Sequence, residues 1–168
     1  MTRSDWRIAP LAAEHTYSLA ECHIACWREA YRDLVPAHVL DAFDVDRRAE
    51  QWERNRVRHP GRTWVALVGT RVIGFASAGA TLDDPPEPAL QLNALYVRSD
   101  WYSTGVARDL LYASVDPAAE YSLWVFEQNP RAQSFYRKHG FALDGTSRVE
   151  AFSPSIEVRM LRAPGPWH

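Results

Sequence analysis

Cysteine is scarce in this chain: Cys22 and Cys26 are the two present in 168 residues. They fall four apart on one predicted helix, a poor disulfide framework for a secreted protein. With His23 between them they invite a metal-site reading, but no second ligand pair stands at zinc-site spacing, so they read as core residues and no metal is expected. Long hydrophobic runs are missing too, and none approaches the length that spans a bilayer. The N-terminal stretch MTRSDWRIAPLAAEHT is broken by charge and proline where a signal peptide would be continuously apolar. Charge of one sign is also absent. A net charge of −2 gives no support to a protein that coats nucleic acid. Repeats and low-complexity segments are lacking. Together these absences predict a cytoplasmic protein with neither a membrane nor a nucleic-acid partner.

What is present is enough for a core. A hydrophobic content of 46% over this length fits one globular domain spanning residues 1–168. Trp6–Leu11 reads as a first strand. Leu19, Cys22, Cys26 and Ala30 recur at helical spacing and predict an amphipathic helix over 15–34. Pro36 stops it, and a short helix over Ala37–Phe43 follows. Asp46 is placed to cap a further helix that turns Ala49 and Trp52 inward. That helix also carries Arg47, Arg48, Arg54, Arg56 and Arg58. Asp44, Asp46, Glu50 and Glu53 balance them, so the face reads as solvated rather than as an anion site.

In TWVALVGTRVIGFASAGA two β-rich runs flank Gly69-Thr70, the pattern of a type II′ hairpin. TLDDPPEPA is a polar, proline-rich loop, too short to link domains. LQLNALYV and YSLWVFE are strands of strong β formers, with a helix between them ending near Ser114. Asn129-Pro130 then starts a helix in two residues, Asn as the cap and Pro at the first helical position. Ala132, Phe135, Tyr136 and His139 share one face, and Gly140 ends the helix. His139, as a cation at a helix C-terminus, needs no catalytic explanation. FALDGTSRVEA and IEVRMLR form an antiparallel pair, and the tail APGPWH is expected to fray. Strand–helix–strand argues for a parallel pair with a right-handed crossover, and the flanking hairpins for antiparallel neighbours. The expected fold is α/β, a mixed and mostly antiparallel sheet with helices on both faces.

One short stretch raises a chemical question. In YVRSDWYSTGVARDLL, the small residues Ser103, Thr104, Gly105 and Ala107 cluster where a strand turns into a helix. Such a turn exposes backbone N–H groups at the positive end of a helix dipole, an arrangement that suits phosphate. No Gly-Lys-Ser/Thr follows, and Gly105 is the turn's one glycine, so neither a Walker-A loop nor a dinucleotide fingerprint is present.

The surrounding residues sharpen that reading. LNALYVRSDWYSTGVARDLL resembles the strand and acyl-CoA loop of the GNAT N-acetyltransferases, whose loop runs Gln/Arg-x-x-Gly-x-Gly/Ala. Here those positions are Tyr102, Ser103, Thr104, Gly105, Val106 and Ala107, with Tyr102 departing from the pattern and Ser103 standing where Gly is frequent. LWVFEQNPRAQSFYRKHGFALDG resembles the family's next motif, with Asn129, Ala132, Phe135, Tyr136, Gly140 and Phe141 in register. The likeness is specific over residues 63–162, and its cofactor motifs lie at about 89–145.

The resemblance implies a GNAT fold with a central splayed parallel pair, and an acetyltransferase that moves acetyl from acetyl-CoA to a primary amine of a small molecule by direct attack. It implies that the backbone of Leu95, Tyr96 and Val97 meets the pantetheine arm, that the turn from Tyr102 through Val106 and Ala107 to Arg108 holds the pyrophosphate, and that Asn129 and Tyr136 border the cofactor. Tyr136 is then the proton donor to the leaving thiolate, with a core aromatic as the plain alternative. Some members carry a catalytic Glu early in the central strand, but the matching residue here, Gln91, cannot take a proton. Glu127 is the first substitute, with Asp83, Asp84, Glu87 or a water chain as others. A non-catalytic acyl-CoA-binding module and a protein N-terminal or lysine acetyltransferase remain open, as does a homodimer.

Overall fold

The computed structural model describes residues 5–150 and 154–167. Ala151 of the sixth predicted strand segment and His168 of the tail lie outside them. One seven-stranded sheet organises the molecule, in the order β1-β2-β3-β4-β5-β7-β6. The strands are β1 (Arg7–Pro10), β2 (Thr63–Val68), β3 (Arg71–Ala80), β4 (Leu90–Val97), β5 (Tyr121–Phe126), β6 (Phe141–Val149) and β7 (Ile156–Arg162). Every neighbouring pair is antiparallel except β4 and β5. The predicted mixed sheet is what forms. The terminal pair folds back so that β7, rather than β6, lies against β5.

Side-chain alternation along the strands decides which helix packs where. On one face, α1 (Thr16–Tyr31) and α3 (Val45–Arg58) bury Leu19, Cys22, Cys26 and Trp52 against Val65, Leu67 and Phe75. On the other, α4 (Val106–Ser114) buries Val106 and Leu110 against Ala66, Ile73 and Ala76. Leu111 extends that layer to Leu123, Phe141 and Met160, where α5 (Pro130–Lys138) adds Tyr136. The short α2 (Ala37–Leu40) closes over Val35, Leu40 and Phe126. At the hairpin, Gly69 has φ +60° and Thr70 does not share its sign, as a type II′ turn requires. Among the described residues no helix is long and apolar enough to cross a membrane.

Four local expectations need correction. The cap of α3 is Asp44, whose Oδ1 accepts from Arg47 N at 3.0 Å, and Asp46 sits inside the first turn. The helix begins earlier because Val45 is already packed against the α1 core. α1 gives way to turns after Tyr31, and α2 ends at Leu40. The tail docks instead of fraying. Arg162, 3% exposed, donates to the carbonyls of His139, Pro117, Gly165 and Pro166 and lies 4.1 Å from the Trp167 ring centroid. Trp167 in turn stacks on Tyr112 at 4.5 Å. Lastly, His139 is buried, and burial foremost lowers its pKa, with Lys138, Arg108 and Arg162 adding to the shift. It favours the neutral imidazole over the expected cation.

Candidate active site

The parallel ladder between β4 and β5 is two residue pairs long. Leu90 faces Tyr121 and Gln91 faces Ser122, and there the pairing stops. Beyond that point β4 keeps its partner β3 on one side, through Val97 opposite Gly74, while its other edge faces open space. A register shift between Ser77 and Ala78 leaves Asn93 without an opposite residue, a bulge that bends β4 away. The gap widens into a cavity of about 1160 Å³.

Five elements wall this cavity, β5 among them through Leu123, Trp124 and Val125. β4 contributes Leu95, Tyr96 and Val97, with backbone groups that no strand pairs on the open side. The segment ahead of α4 contributes Tyr102, Ser103, Thr104 and Gly105, followed by Ala107 and Arg108. α5 contributes Asn129 and Tyr136, and α1 brings Glu29 and Tyr31 from the opposite face. Val106 opens α4 and turns its fully buried side chain into the core against Ile73 and Leu110.

The loop before α4 is shaped to leave amides open. Ser103 has φ +63° and Gly105 φ +103°, both left-handed, and no side chain caps the helix. Left-handed residues at such a turn direct successive N–H groups to one side. The first amides of a helix have no partner within it. At Gly105 a side chain is disfavoured by the left-handed φ, and its Cβ would crowd Arg108 Nη2 at 3.2 Å. Thr104 Oγ1 donates to Trp101 O at 2.6 Å and pins the turn. Arg108 is itself held by Asp109 Oδ1 at 3.2 Å, and Asp109 Oδ2 accepts from Trp6 Nε1 at 3.0 Å.

Three phenols converge at the throat of the gap. Tyr31 and Tyr96 share a hydrogen bond of 2.9 Å. Tyr136 is 9% exposed, and burial foremost, then Tyr96, pushes its pKa well above the ordinary phenol range. Burial likewise pushes Tyr96 up to about 12 and raises Tyr31 well above its ordinary value. All three therefore keep their protons through neutral pH, and Tyr136 does so on the cavity wall.

The carboxylates expected as bases lie elsewhere. Glu127 is exposed past the end of β5 and is not part of the cavity wall. Asp84 and Glu87 are exposed as well. Asp83 accepts from Trp124 Nε1 at 2.9 Å and sits 3.5 Å from Arg159, so it braces a wall residue. Gln91 is buried, and its Oε1 accepts from Thr81 Oγ1 and Leu82 N, fastening the loop between β3 and β4. Sequence reasoning missed Tyr31, Glu29, Trp124 and Arg131. Cys26, Glu29 and Ala30 do share an i, i+3, i+4 face of α1 that signals burial, but that spacing carries no information about which strands it meets.

Comparison with known proteins decides the family. The model of the acetyltransferase (GNAT) family matches residues 19–141. The chain belongs to the GNAT family. This GNAT chain is 28% identical over 131 residues to a probable N-acetyltransferase of Mycobacterium tuberculosis, covering 76% of this chain and 74% of the relative. It is 32% identical over 118 residues to an uncharacterized N-acetyltransferase of Mycobacterium bovis, covering 67% and 73%. Its fold matches the PaiA N-acetyltransferase of Thermoplasma acidophilum, solved in complex with coenzyme A, with a TM-score of 0.74 at 19% identity over 94% of this chain and 98% of that one. A ribosomal-protein-alanine N-acetyltransferase of Brucella melitensis gives 0.70 at 21% identity, over 94% and 99%. The protein is thus an acetyltransferase with the GNAT architecture.

Proposed function

We propose that the chain acts as one cytoplasmic acyltransferase domain that moves acetyl from acetyl-CoA to a primary amine of a small molecule by direct attack in a ternary complex. One observation carries this reading: a single cavity in the β4–β5 gap is bounded both by the open amides before α4 and by the buried, proton-bearing phenol of Tyr136. When bound there, acetyl-CoA supplies the activated acyl group. The loop suits its phosphates, since Ser103, Thr104, Gly105, Val106 and Ala107 offer backbone donors where α4 begins, with Arg108 beside them. The N–H of Tyr102, expected among these donors, is instead committed to Ser99 O at 3.1 Å, so Tyr102 borders the site through its ring. The unpaired β4 edge offers the backbone donors and acceptors of Leu95 and Val97 to an amide-bearing arm, while Tyr96, in phase with the β3-bonded Arg98, turns its backbone toward β3. Backbone donors aimed at a developing oxyanion lower such barriers by about 3 kcal/mol. Asn129 orders the start of α5, and Tyr136 Oη holds a proton for the departing sulfur. Because Glu127 stands outside the wall, removal of the amine proton through water fits the geometry better than contact with that carboxylate.

Thermal unfolding with and without acetyl-CoA tests the donor, and mass-spectrometric transfer to a panel of amines tests the reaction. A ligand at a hundred times its Kd stabilises the folded state by about 2.7 kcal/mol, so a clear rise in Tm is expected. No rise at millimolar acetyl-CoA overturns the proposal. Binding without transfer to any amine identifies a non-catalytic acyl-CoA module instead.

A further inference from the structure

α5 carries a charge where a helix does not favour it. Its first turn has no acidic residue, and Arg131 follows Pro130 there, at the end where the helix dipole repels a cation. The side chain is exposed, and none of the ion pairs among the described residues engages it. Neither the helix nor a carboxylate partner accounts for it.

Its one strong contact is across the cavity mouth. The guanidinium carbon of Arg131 lies 3.3 Å from the ring centroid of Tyr102, and both residues line the cavity. Tyr102 immediately precedes the left-handed Ser103 of the loop with open amides. A guanidinium lying flat on a ring satisfies its face and leaves its in-plane N–H donors free. The neighbouring cation, Arg108, is already shared with Asp109. Arg131 is therefore the cation at the loop that is held in position and not neutralised.

We propose that Arg131, laid flat on the Tyr102 ring, is a phosphate-binding residue that reaches from α5 to an anion seated on the turn before α4. Two elements separated in the chain then grip one phosphate group, the loop by its amides and α5 by a planar cation. The inference rests on the loop being the phosphate site of the proposed function.

Calorimetric titration with coenzyme A and with pantetheine, which has no phosphate, tests it on the full chain. Arg131→Met is expected to weaken coenzyme A binding about tenfold or more, as loss of a charge-assisted contact does, and to leave pantetheine binding unchanged. Arg131→Lys keeps the charge without the planar stack and falls between. Tyr102→Leu costs about two- to fivefold, and adding it to Arg131→Met brings no further loss. Coenzyme A binding by Arg131→Met equal to that of the unmodified protein overturns the inference, as does an equal loss for both ligands. Coenzyme A binding that depends on Arg131, in a protein that transfers no acetyl group, upholds the inference and defeats the proposed function alone. No coenzyme A binding by the unmodified protein defeats both.

Discussion

Two helices present their first turns to the same cavity, and they treat their backbone donors in opposite ways. α5 closes its own end. Asn129 Oδ1 accepts from Ala132 N at 3.3 Å, and Pro130 has no N–H to satisfy. α4 leaves its end open, with a left-handed Gly105 at the cap position and no side-chain acceptor. The difference separates two jobs. Backbone donors are fixed in direction and cost no side-chain ordering, so an end left open suits a large anion. A closed end holds its side chains still, and α5 uses that rigidity to present Arg131 at the mouth and Tyr136 at the throat.

If Tyr136 on α5 serves chemistry and the turn before α4 serves binding, substitutions at the two should split kcat from affinity. The largest effect is expected at Tyr136→Phe. The ring packs against Phe135 and Phe141 and is retained, so stability changes little. Loss of a positioned acid lowers kcat by about 10²–10⁴-fold, with coenzyme A affinity nearly unchanged by calorimetry. A thioester with a more acidic thiol should recover part of the loss. Full activity in this variant would make Tyr136 a core aromatic and erase the division.

Next is Gly105→Glu, which puts a side chain at φ +103° and a negative charge among the open amides. Coenzyme A affinity should fall about a hundredfold, an estimate built from lost charge-assisted contacts, while circular dichroism reports a folded chain. Gly105→Ala isolates the backbone strain. Normal coenzyme A binding by folded Gly105→Glu would place the anion elsewhere. The smallest effect is expected at Asn129→Ala. Removing a cap of this kind costs about 1 kcal/mol of stability, seen in chemical denaturation. Unchanged stability in Asn129→Ala would break the contrast between a closed and an open end.

The features legible in the sequence are those whose causes lie within a few residues. Asn129-Pro130 marks the start of α5 because the cap acts over three positions. Gly69-Thr70 marks the hairpin because one residue's φ suffices. The loop from Tyr102 to Arg108 stands out for the same reason, as small residues next to a helical pattern. Asp44 and Asp46 show the limit. Both are good caps, and the choice went to Asp44 because Val45 packs against α1. Trp167 reads as a frayed end until Tyr112 and Arg162, distant in the chain, supply its stacking partners. Glu127 looks like a carboxylate beside the site, but it falls one residue past the end of β5, outside the wall.

By itself the sequence determined the order of elements, their type and the backbone chemistry of the turn before α4, since caps, periodicity and allowed φ act locally. The cavity was decided by tertiary structure alone. It exists because the β4–β5 ladder stops after two pairs while β3 and β7 hold the outer edges of those strands. Its throat is phenolic because Tyr31, Tyr96 and Tyr136 arrive there from α1, β4 and α5. No residue carries, in its own neighbourhood of the chain, the direction in which a distant helix will approach. Side chains that meet across a sheet are set by which faces are buried together, and that is settled by the packing of the whole fold.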